Sequence, residues 1–448
     1  MLNMSKNSRA TASQPEYGVV ISKKVMIPMR DGVELAADIY RPAINGEFLT
    51  GRFPTILGRT SYDRTNPVIW VDPVANFFTP RGYVTVLQDL RGRGGSKGTG
   101  QYFHTANANE GPDGYDTVEW IATQPWSNER VGMVGSSHGG IVQNVAALHR
   151  PPHLTALWVD VAPTSAFDWE ARQGGAMALH MFGALFLHGW DAQDIRDNPK
   201  AQQLIEDGAT NLRELLWQFP FKPTSSPISV VPNLEEVLMH YTRDGVYNEW
   251  WAMEAMDQKN RYHQFPDIPI VFSGGWYDPF VDDYSKQFTH LSSQNQSPQR
   301  LIIGPWNHMT MRGEGSTNIG QVDFGTDAKW GDQTYNTQRL RWFDRWLKDF
   351  RTNVEEDAPV RIFVMGGGSG QVTAKGQIHH GGKWRDEPAW PIERAQTTTL
   401  YMHSKGTLST DTPLDIEPPI FWVHDPKYPV PTISANVTGF YEWLPVPK

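Results

Sequence analysis

The chain lacks cysteine, long apolar runs and an excess of basic residues. Without cysteine, neither disulfide bonds nor thiolate metal sites can form. No segment approaches the ~20 apolar residues of a membrane span, and the opening MLNMSKNSRATASQPEYG has no apolar stretch typical of a secretory signal. The formal net charge of -9 leaves no basic face for nucleic acid. We therefore expect a soluble, cytoplasmic protein with no membrane and no nucleic-acid partner.

Apolar residues are abundant, and their spacing indicates the fold class. Hydrophobic residues make up 39% of the 448 residues, which is enough for more than one core. Short β-branched runs such as 83–87 and 131–134 alternate with helical patterns, which predicts a parallel α/β sheet. Helical patterns with proline-rich breaks fill residues 165–262, and strand patterns return at 268–272. Beyond residue 359 only short β runs follow, as in a sandwich or jelly roll.

These changes of pattern predict five segments. A flexible leader precedes an α/β domain whose two parts flank a helical cap insert, and an all-β domain follows. The predicted boundaries are 1–21 for the leader, 22–164 and 263–355 for the α/β domain, 165–262 for the insert and 356–448 for the β domain.

The stretch VGMVGSSHGG, residues 131–140, contains a Gly-x-Ser-x-Gly pattern centred on Ser137. In a nucleophile elbow the serine lies on a sharp strand-to-helix turn, and small residues two positions before and after it avoid clashes. Ser136 has Val134 and His138 at those positions instead. The pattern therefore favours Ser137 as a nucleophile. A tight βα turn or a phosphate-binding loop is the alternative.

A serine nucleophile of this kind needs an acid and then a histidine, each at the end of a later strand. One strand pattern leads into GGWYD, which ends at Asp278, and the next leads into GPWNH, which ends at His308. The spacing between them fits one crossover between parallel strands. We predict that Asp278 orients His308 and that His308 acts as the base. A polar residue that merely ends a strand is the alternative for each.

A tetrahedral intermediate needs hydrogen-bond donors for its oxyanion. The backbone N–H of His138, directly after the nucleophile, supplies one donor. The second has to come from the end of an earlier strand, where the stretch TSYDR contains Tyr62. Its hydroxyl is a candidate donor, and a tyrosine in a surface turn is the alternative.

Two further features have simpler interpretations. The glycine-rich run 88–98 fits neither GxGxxG nor the P-loop spacing, so we interpret it as a structural turn in which Asp89 and the arginines fix neighbouring loops. The chain has 14 histidines but no spaced pair such as HExxH. We predict no metal and no cofactor.

Together these motifs resemble the CocE/NonD serine hydrolases, a family that includes cocaine esterase, α-amino-acid ester hydrolases and X-Pro dipeptidyl peptidases. The motifs occur in the family order between residues 22 and 350: MRDGVELAADIYRP, RTSYD, QDLRGRGGSKG, DGYDTVEWIATQPWSNERVGMVGSSHGG, GGWYDPF and GPWNH. The resemblance implies an α/β-hydrolase fold with a helical cap insert and a C-terminal jelly-roll-like domain. Because the family's third domain is longer than the residues after 359, we expect an incomplete jelly roll here.

The resemblance also implies residue roles. It gives Ser137, Asp278 and His308 as the catalytic triad, and it supports the Tyr62 hydroxyl and the His138 backbone N–H as the oxyanion hole. Family members commonly carry an aromatic residue where this chain has His138.

Substrate-binding residues follow from the same motifs. An aromatic residue two positions after the acid lines the acyl pocket in cocaine esterase, which implies this role for Phe280, and Trp276 of the same motif is a further candidate. Amino-acid ester hydrolases carry acidic residues where this chain has Phe280 and Val281. An α-amino substrate is therefore not expected.

We predict a serine hydrolase that cleaves a small-molecule carboxylic ester through an acyl-enzyme. An X-Pro dipeptidyl-peptidase or an acylase acting on amide bonds is the alternative within the class. From other classes, an inactive hydrolase-like scaffold and a nucleotide-binding protein that uses residues 88–98 or 135–140 stay open. Both a monomer and a homodimer are compatible with the sequence.

The glycine spacing around the two adjacent serines generates a direct test. Ser137→Ala removes the predicted nucleophile and is expected to abolish nearly all ester hydrolysis, whereas Ser136→Ala is expected to keep much of it. Initial rates on a chromogenic ester measure both. Equal losses in the two variants would contradict the choice of Ser137.

Overall fold

The computed structural model describes residues 12–430 except 100–108, 191, 219, 331–333, 415 and 429. Its aliphatic and β-branched runs form the strands. In chain order the strands are β1 (Gly18–Pro28), β2 (Glu34–Ile44), β3 (Glu47–Phe48), β4 (Phe53–Thr60), β5 (Val84–Asp89), β6 (Ser127–Ser136), β7 (Leu154–Asp160), β8 (Arg172–Gln173), β9 (Ala176–Met177), β10 (Ile270–Gly275), β11 (Gln299–Gly304), β12 (Asn318–Ile319), β13 (Val322–Asp323), β14 (Val360–Met365), β15 (Ile378–His379), β16 (Gly382–Glu387), β17 (Tyr401–His403) and β18 (Thr407–Ser409). In chain order the helices are α1 (Asn76–Phe78), α2 (Glu110–Ala122), α3 (His138–Leu148), α4 (His180–Gly189), α5 (Pro199–Thr210), α6 (Leu212–Leu216), α7 (Pro232–Arg243), α8 (Val281–Gln294) and α9 (Tyr335–Lys348).

One large sheet organises the molecule. Its strand order is β1-β2-β5-β4-β6-β7-β10-β11-β14-β16, with β3 paired to β2. Neighbours from β5 through β14 run parallel, and the antiparallel pairs lie at the two edges. The parallel strands are buried on both faces, as their continuous apolar runs require. The predicted parallel α/β sheet is confirmed.

Helices cover both faces of this sheet. On one face α2, α3 and α8 pack apolar side chains such as Val118, Val142 and Phe288 into the larger core cluster. On the other face α9 contributes Phe343, and a helical turn at Pro67–Ala75 contributes further apolar side chains. Because the parallel strands point the same way, the carboxyl ends of β4, β6, β10 and β11 meet at one edge of the sheet. The predicted site residues directly follow these four strands.

Residues 166–264, between β7 and β10, form mostly helical structure that includes α4 to α7. This segment corresponds to the predicted insert and has a buried apolar cluster of its own, with Phe182, Ile205, Leu238 and Trp251 among its members. In the described part of the chain, every helix is too short or too polar for a transmembrane span.

The N-terminal segment differs from the flexible leader predicted for residues 1–21, of which 1–11 lie outside the described residues. The Ser13 N–H and hydroxyl both donate to the Asp344 carboxylate on α9. The N–H of Tyr17 donates to the Pro80 carbonyl at 3.0 Å, and β1 begins at Gly18. The carboxylate of a distant helix therefore fixes this segment, a long-range contact that local sequence does not reveal.

The C-terminal part, predicted as a β domain from residue 356, begins with strands that join the central sheet. Strand β14 pairs in parallel with β11, and β16 pairs with β14, so both extend the central sheet. The open edge of β11 offers backbone groups that need partners, and the fully buried Val360 and Phe363 cover apolar surface there. Among the described residues after 356, only β17 and β18 form a sheet apart from the α/β part. Residues 431–448 lie outside the described residues.

One of the short β runs that predict strands beyond residue 359 forms no strand. Residues 420–423 contain the β-rich run Ile-Phe-Trp-Val, yet they form no strand. Their side chains are exposed, with Phe421 at 86% and Val423 at 93%. Strand propensity alone does not make a strand, because the backbone needs a pairing neighbour, and the described residues supply none here.

Phe343 on α9 generates a test of how the helix packs on the sheet. Its side chain is fully buried, and a Cβ atom at Gly132 on β6 would lie 2.7 Å from its ring, so the glycine makes room for the aromatic ring. We expect Phe343→Ala to lower the free energy of unfolding by about 3–5 kcal/mol, because it leaves a cavity. Urea denaturation followed by tryptophan fluorescence measures the change.

The matched control on the same helix is Arg345→Ala, which removes a partly exposed ion pair with Glu355. Its expected cost is about 0–1 kcal/mol. Similar losses in the two variants would contradict the packing described for Phe343.

Candidate active site

Ser137 lies at the junction of β6 and α3 with an unusual backbone conformation. Its φ of 59° and ψ of −127° lie outside the helical and strand regions, and a positive φ is uncommon for a residue other than glycine. Its N–H donates to the Asp160 carbonyl at the end of β7 at 3.0 Å. This sharp strand-to-helix turn is the geometry of a nucleophile elbow.

The glycines around Ser137 are required by close contacts. A Cβ atom at Gly135 would lie 2.6 Å from the carbonyl oxygen of Gly139, so the two glycines of the Gly-x-Ser-x-Gly pattern face each other across the turn. A Cβ atom at Gly140 would lie 2.6 Å from the Cβ of Ala162. The spacing from which Ser137 was predicted therefore reflects a steric requirement.

Asp278 and His308 follow the neighbouring strands β10 and β11, and the structure brings them together. The Nδ1 atom of His308 lies 3.1 Å from Oδ1 of Asp278, and both side chains are buried. Burial raises the pKa of Asp278, while its contact with His308 acts in the opposite direction. The Phe280 N–H also donates to Oδ1 of Asp278 at 3.2 Å. The carboxylate is thus held where it can orient the imidazole.

Phe280, a predicted substrate-binding residue, packs against the histidine. Its ring lies edge-on to His308 with the ring centres 5.4 Å apart, and its side chain is buried. His180, at the start of α4 in the cap, lies 6.3 Å from Phe280 between ring centres. Burial, followed by the charge of His308, lowers the pKa of His180 to about 4. The cap therefore presents a neutral imidazole next to the Phe280–His308 pair at neutral pH.

Tyr62 approaches Ser137 from the loop after β4. Its hydroxyl lies 3.5 Å from Oγ of Ser137, at the outer limit for a hydrogen bond. Burial raises the pKa of Tyr62 to about 12, and hydrogen bonds with Ser137 and with the backbone N–H of His138 act in the opposite direction. The two predicted oxyanion donors therefore lie together beside the predicted nucleophile.

Several hydrogen bonds hold the loop that carries Tyr62. Its N–H donates to Oγ1 of Thr60 at 2.8 Å, and the indole N–H of Trp70 donates to the same hydroxyl at 2.9 Å. The guanidinium of Arg93 donates to the Ser61 carbonyl at 3.0 Å and to the carbonyl of His188 in the cap, also at 3.0 Å. Arg93 therefore connects the oxyanion loop to the cap.

The His138 ring forms a second connection, between the two oxyanion donors. Its Nδ1 and the Ser61 hydroxyl are hydrogen bonded at 3.0 Å, and its Nε2 lies 3.6 Å from Glu110. The ring is 1% exposed. Because Ser61 precedes Tyr62 and His138 follows Ser137, this side-chain bond joins the segments that carry the tyrosine hydroxyl and the backbone N–H.

Sequence reasoning missed most of these supporting residues. Ser61, Glu110, Glu170 and His180 belong to no catalytic pattern, and the last two lie in the cap, whose packing the sequence does not indicate. Buried Glu170 raises the pKa of Tyr62 through its charge. For His138 a signal was present, since a histidine stands where the family commonly has an aromatic residue.

Trp276 lies in a different environment. Its indole N–H donates to the Phe363 carbonyl on β14 at 2.7 Å, and its ring packs against Trp390. These contacts connect the loop after β10 to β14 and to Trp390. They do not favour substrate binding, so that role stays a prediction.

The glycine-rich run 88–98 has the structural role expected for it. The Asp89 carboxylate accepts from the backbone N–H groups of Arg64 and Gly95, each at 2.8 Å, and from the Arg64 side chain. Arg91 pairs with Asp113. No group of three histidine, aspartate or glutamate side chains within the described residues is arranged to hold a metal ion.

The fold and the site define a serine hydrolase of the α/β-hydrolase class. A family model described as X-Pro dipeptidyl-peptidase (S15 family) matches residues 31–310, and one described as X-Pro dipeptidyl-peptidase C-terminal non-catalytic domain matches residues 352–433. The chain belongs to the X-Pro dipeptidyl-peptidase (S15) family. The predicted resemblance and the predicted fold class are confirmed.

The individual relatives and solved structures have low sequence identity to this chain. Cocaine esterase from Rhodococcus sp. (strain MB1 Bresler) is 27% identical over 431 residues, which cover 93% of this chain and 70% of the esterase. The structure of an α-amino acid ester hydrolase matches with a TM-score of 0.67 at 21% identity. The matched region covers 99% of this chain and 72% of the hydrolase. The structure of an aminopeptidase from a marine sediment Thaumarchaeota archaeon matches with a TM-score of 0.64 at 19% identity. The matched region covers 91% of this chain and 65% of the aminopeptidase. The two structures show the fold, and the chain spans less than two thirds of the aminopeptidase.

The bond between Ser61 and His138 generates a test of how the oxyanion donors are positioned. In His138→Asn the side-chain amide can occupy the Nδ1 position and keep the bond, whereas in His138→Gln it reaches the Nε2 position instead. We expect kcat to stay within about threefold in His138→Asn and to fall about tenfold or more in His138→Gln, with little change in KM, because misplaced donors affect the transition state. Steady-state kinetics on one ester measures both.

The Asn/Gln pair also controls for loss of the ring, which both variants share. If His138→Gln is as active as His138→Asn, the Ser61 bond does not position the donors. A rise in KM without a change in kcat would also contradict it.

Proposed function

We propose that this protein cleaves carboxylic esters through an acyl-enzyme formed on Ser137. The observation that carries the proposal is that the Tyr62 hydroxyl and the His138 N–H, which are hydrogen bonded to each other, lie beside a serine in a strained elbow. The buried pair of His308 and Asp278 follows the strands at the same sheet edge.

In the proposed reaction, Ser137 Oγ attacks the ester carbonyl as Nε2 of His308 accepts its proton. Asp278 holds the ring through Nδ1 and stabilises the imidazolium. The tetrahedral intermediate places its negative oxygen between Tyr62 and the His138 N–H, and its collapse releases the alcohol, which takes the proton from His308. Water, deprotonated by His308, then attacks the acyl-enzyme, and the second tetrahedral intermediate collapses to release the acid as His308 returns the proton to Oγ of Ser137.

The high pKa of Tyr62 suits this role. A hydroxyl with a pKa of about 12 keeps its proton in neutral and moderately alkaline solution, so it can donate throughout that range. An ordinary tyrosine, with a pKa of about 10, would begin to lose its proton earlier. Burial therefore preserves the donor function on which oxyanion stabilisation depends.

The ester preference rests on two observations. Phe280 occupies a position where amino-acid ester hydrolases carry an acidic residue, and its ring is buried against His308, so this position holds no substrate ammonium. Cocaine esterase, a relative that covers 93% of this chain, is an esterase by name. Amide cleavage, as in an X-Pro dipeptidyl-peptidase or an acylase, is the alternative because the family model carries the name of a peptidase.

A nucleotide-binding function is disfavoured by the contacts of the glycine-rich run. The backbone N–H groups of Arg64 and Gly95 already point at the Asp89 carboxylate, which occupies the place that a phosphate would take.

The proposal also includes the cytoplasmic location expected from the sequence, which cell fractionation tests.

A serine-directed fluorophosphonate tests the nucleophile. We expect stoichiometric labelling of folded wild-type protein, with peptide mapping that places the adduct on Ser137, because only an activated serine reacts. Ser137→Ala is the matched negative control, and heat-denatured wild-type protein is the second. Labelling elsewhere, or no labelling of folded protein, contradicts the proposal.

Hydrolysis of p-nitrophenyl esters and anilides of equal acyl length, measured on the same preparation, separates the alternatives. Turnover of the ester with little turnover of the anilide supports ester hydrolysis. The reverse preference supports the peptidase or acylase alternative. Labelling of Ser137 without turnover of either substrate identifies an inactive scaffold.

A further inference from the structure

Arg312 lies beside the nucleophile, and the described residues supply no acidic partner for it. It follows His308 by four residues, and its guanidinium donates a hydrogen bond to Oγ of Ser136, the residue directly before Ser137. Its side chain is partly exposed. Among the described residues, no carboxylate lies within ion-pair distance of it, and no protein atom accepts from its other N–H groups.

Other arginines at this edge of the sheet are neutralised or tied to backbone. Arg64 pairs with Asp38 and Asp89, and Arg91 pairs with Asp31 and Asp113. These side chains hold loops together and are occupied by the protein itself. Arg312 differs from them because no acid in the described part of the chain forms an ion pair with it.

Arg312 also borders a small open recess next to the elbow. The recess is about 20 Å³ and is lined by Gly135 and Ser136 of the elbow, by Arg312 and Arg339, and by Trp70 and Tyr335, among others. Arg339 is buried, and its guanidinium donates to the Pro73 carbonyl and to Oδ1 of Asn336. The surface next to the nucleophile is therefore cationic on this side.

The charge of Arg312 reaches the catalytic atoms. It lowers the pKa of Tyr62, against a larger effect of burial, so the guanidinium lies close enough to act on the oxyanion donor. The Cα atoms of Ser136 and Ser137 are about 3.8 Å apart across one peptide bond. A carboxylate bound at Arg312 would therefore be a few carbon atoms away from a carbonyl bound at Ser137.

We propose that Arg312 binds a substrate carboxylate, so that the preferred substrates are esters that carry a second, anionic carboxyl group a few carbons from the scissile carbonyl. This inference rests on the proposed ester hydrolysis and names its substrate class. A guanidinium presents paired donors that match a carboxylate, and such charge-assisted bonds are stronger than neutral ones. The hydroxyl of Ser136 holds the guanidinium in place.

Monomethyl glutarate and methyl valerate form a matched substrate pair, because they have the same main-chain length and differ in the terminal carboxylate. We expect wild-type protein to hydrolyse monomethyl glutarate with a kcat/KM about tenfold or more above that for methyl valerate, mostly through KM. A pH-stat measures both rates. In Arg312→Gln we expect this ratio to fall at least tenfold, and in Arg312→Lys we expect an intermediate ratio, because lysine keeps the charge without the paired donors.

Arg52→Gln is the matched control. It makes the same charge change at an exposed arginine, paired with Glu129, next to the opposite end of β4. We expect it to leave the ratio unchanged. A wild-type ratio near one, or a preference for monomethyl glutarate that survives in Arg312→Gln, overturns the proposal.

Calorimetric binding of glutarate and valerate to the same proteins separates this inference from the proposed function. If neither ester is hydrolysed but glutarate binds more tightly than valerate in an Arg312-dependent way, the subsite stands and ester hydrolysis fails. If esters are hydrolysed and glutarate has no binding advantage, ester hydrolysis stands and the subsite fails.

Discussion

The site depends on a serine held at positive φ between a buried strand and a helix. Gly135 and Gly139 approach so closely that a Cβ atom at Gly135 would lie 2.6 Å from the Gly139 carbonyl oxygen, and this contact lets the chain turn from β6 into α3 at Ser137. The first N–H of α3, that of His138, donates to the Tyr62 hydroxyl. A strained backbone conformation of this kind persists only where the surrounding contacts hold it in place. Here the buried strands on both sides of β6 provide that support.

Two sets of contacts extend from this turn. The Asp278–His308 pair is positioned by the parallel register of β10 and β11, which brings the ends of the two strands together. The oxyanion donors are positioned by side chains instead, through the bond between Ser61 and His138 and through Arg93, which reaches the cap. Changes in the cap can therefore influence the oxyanion loop without touching the triad.

The sequence predicts those parts of the molecule that depend on local spacing. The sheet, the elbow and the strand ends that carry Asp278 and His308 follow from apolar runs and from glycines at fixed offsets. Docking of Ser13 on α9, the pairing of β14 with β11, and the approach of His180 to Phe280 could not be predicted, because they depend on contacts between distant segments. Arg312 was missed for the same reason.

The central claim is that the Tyr62 hydroxyl and the His138 N–H jointly receive the oxyanion formed at Ser137. A crystal structure of the phosphonate adduct tests it most directly, because the phosphoryl oxygen occupies the position of the oxyanion. The account predicts that this oxygen lies about 2.7–3.1 Å from both donors. A phosphoryl oxygen directed at solvent, or at other donors, would contradict it.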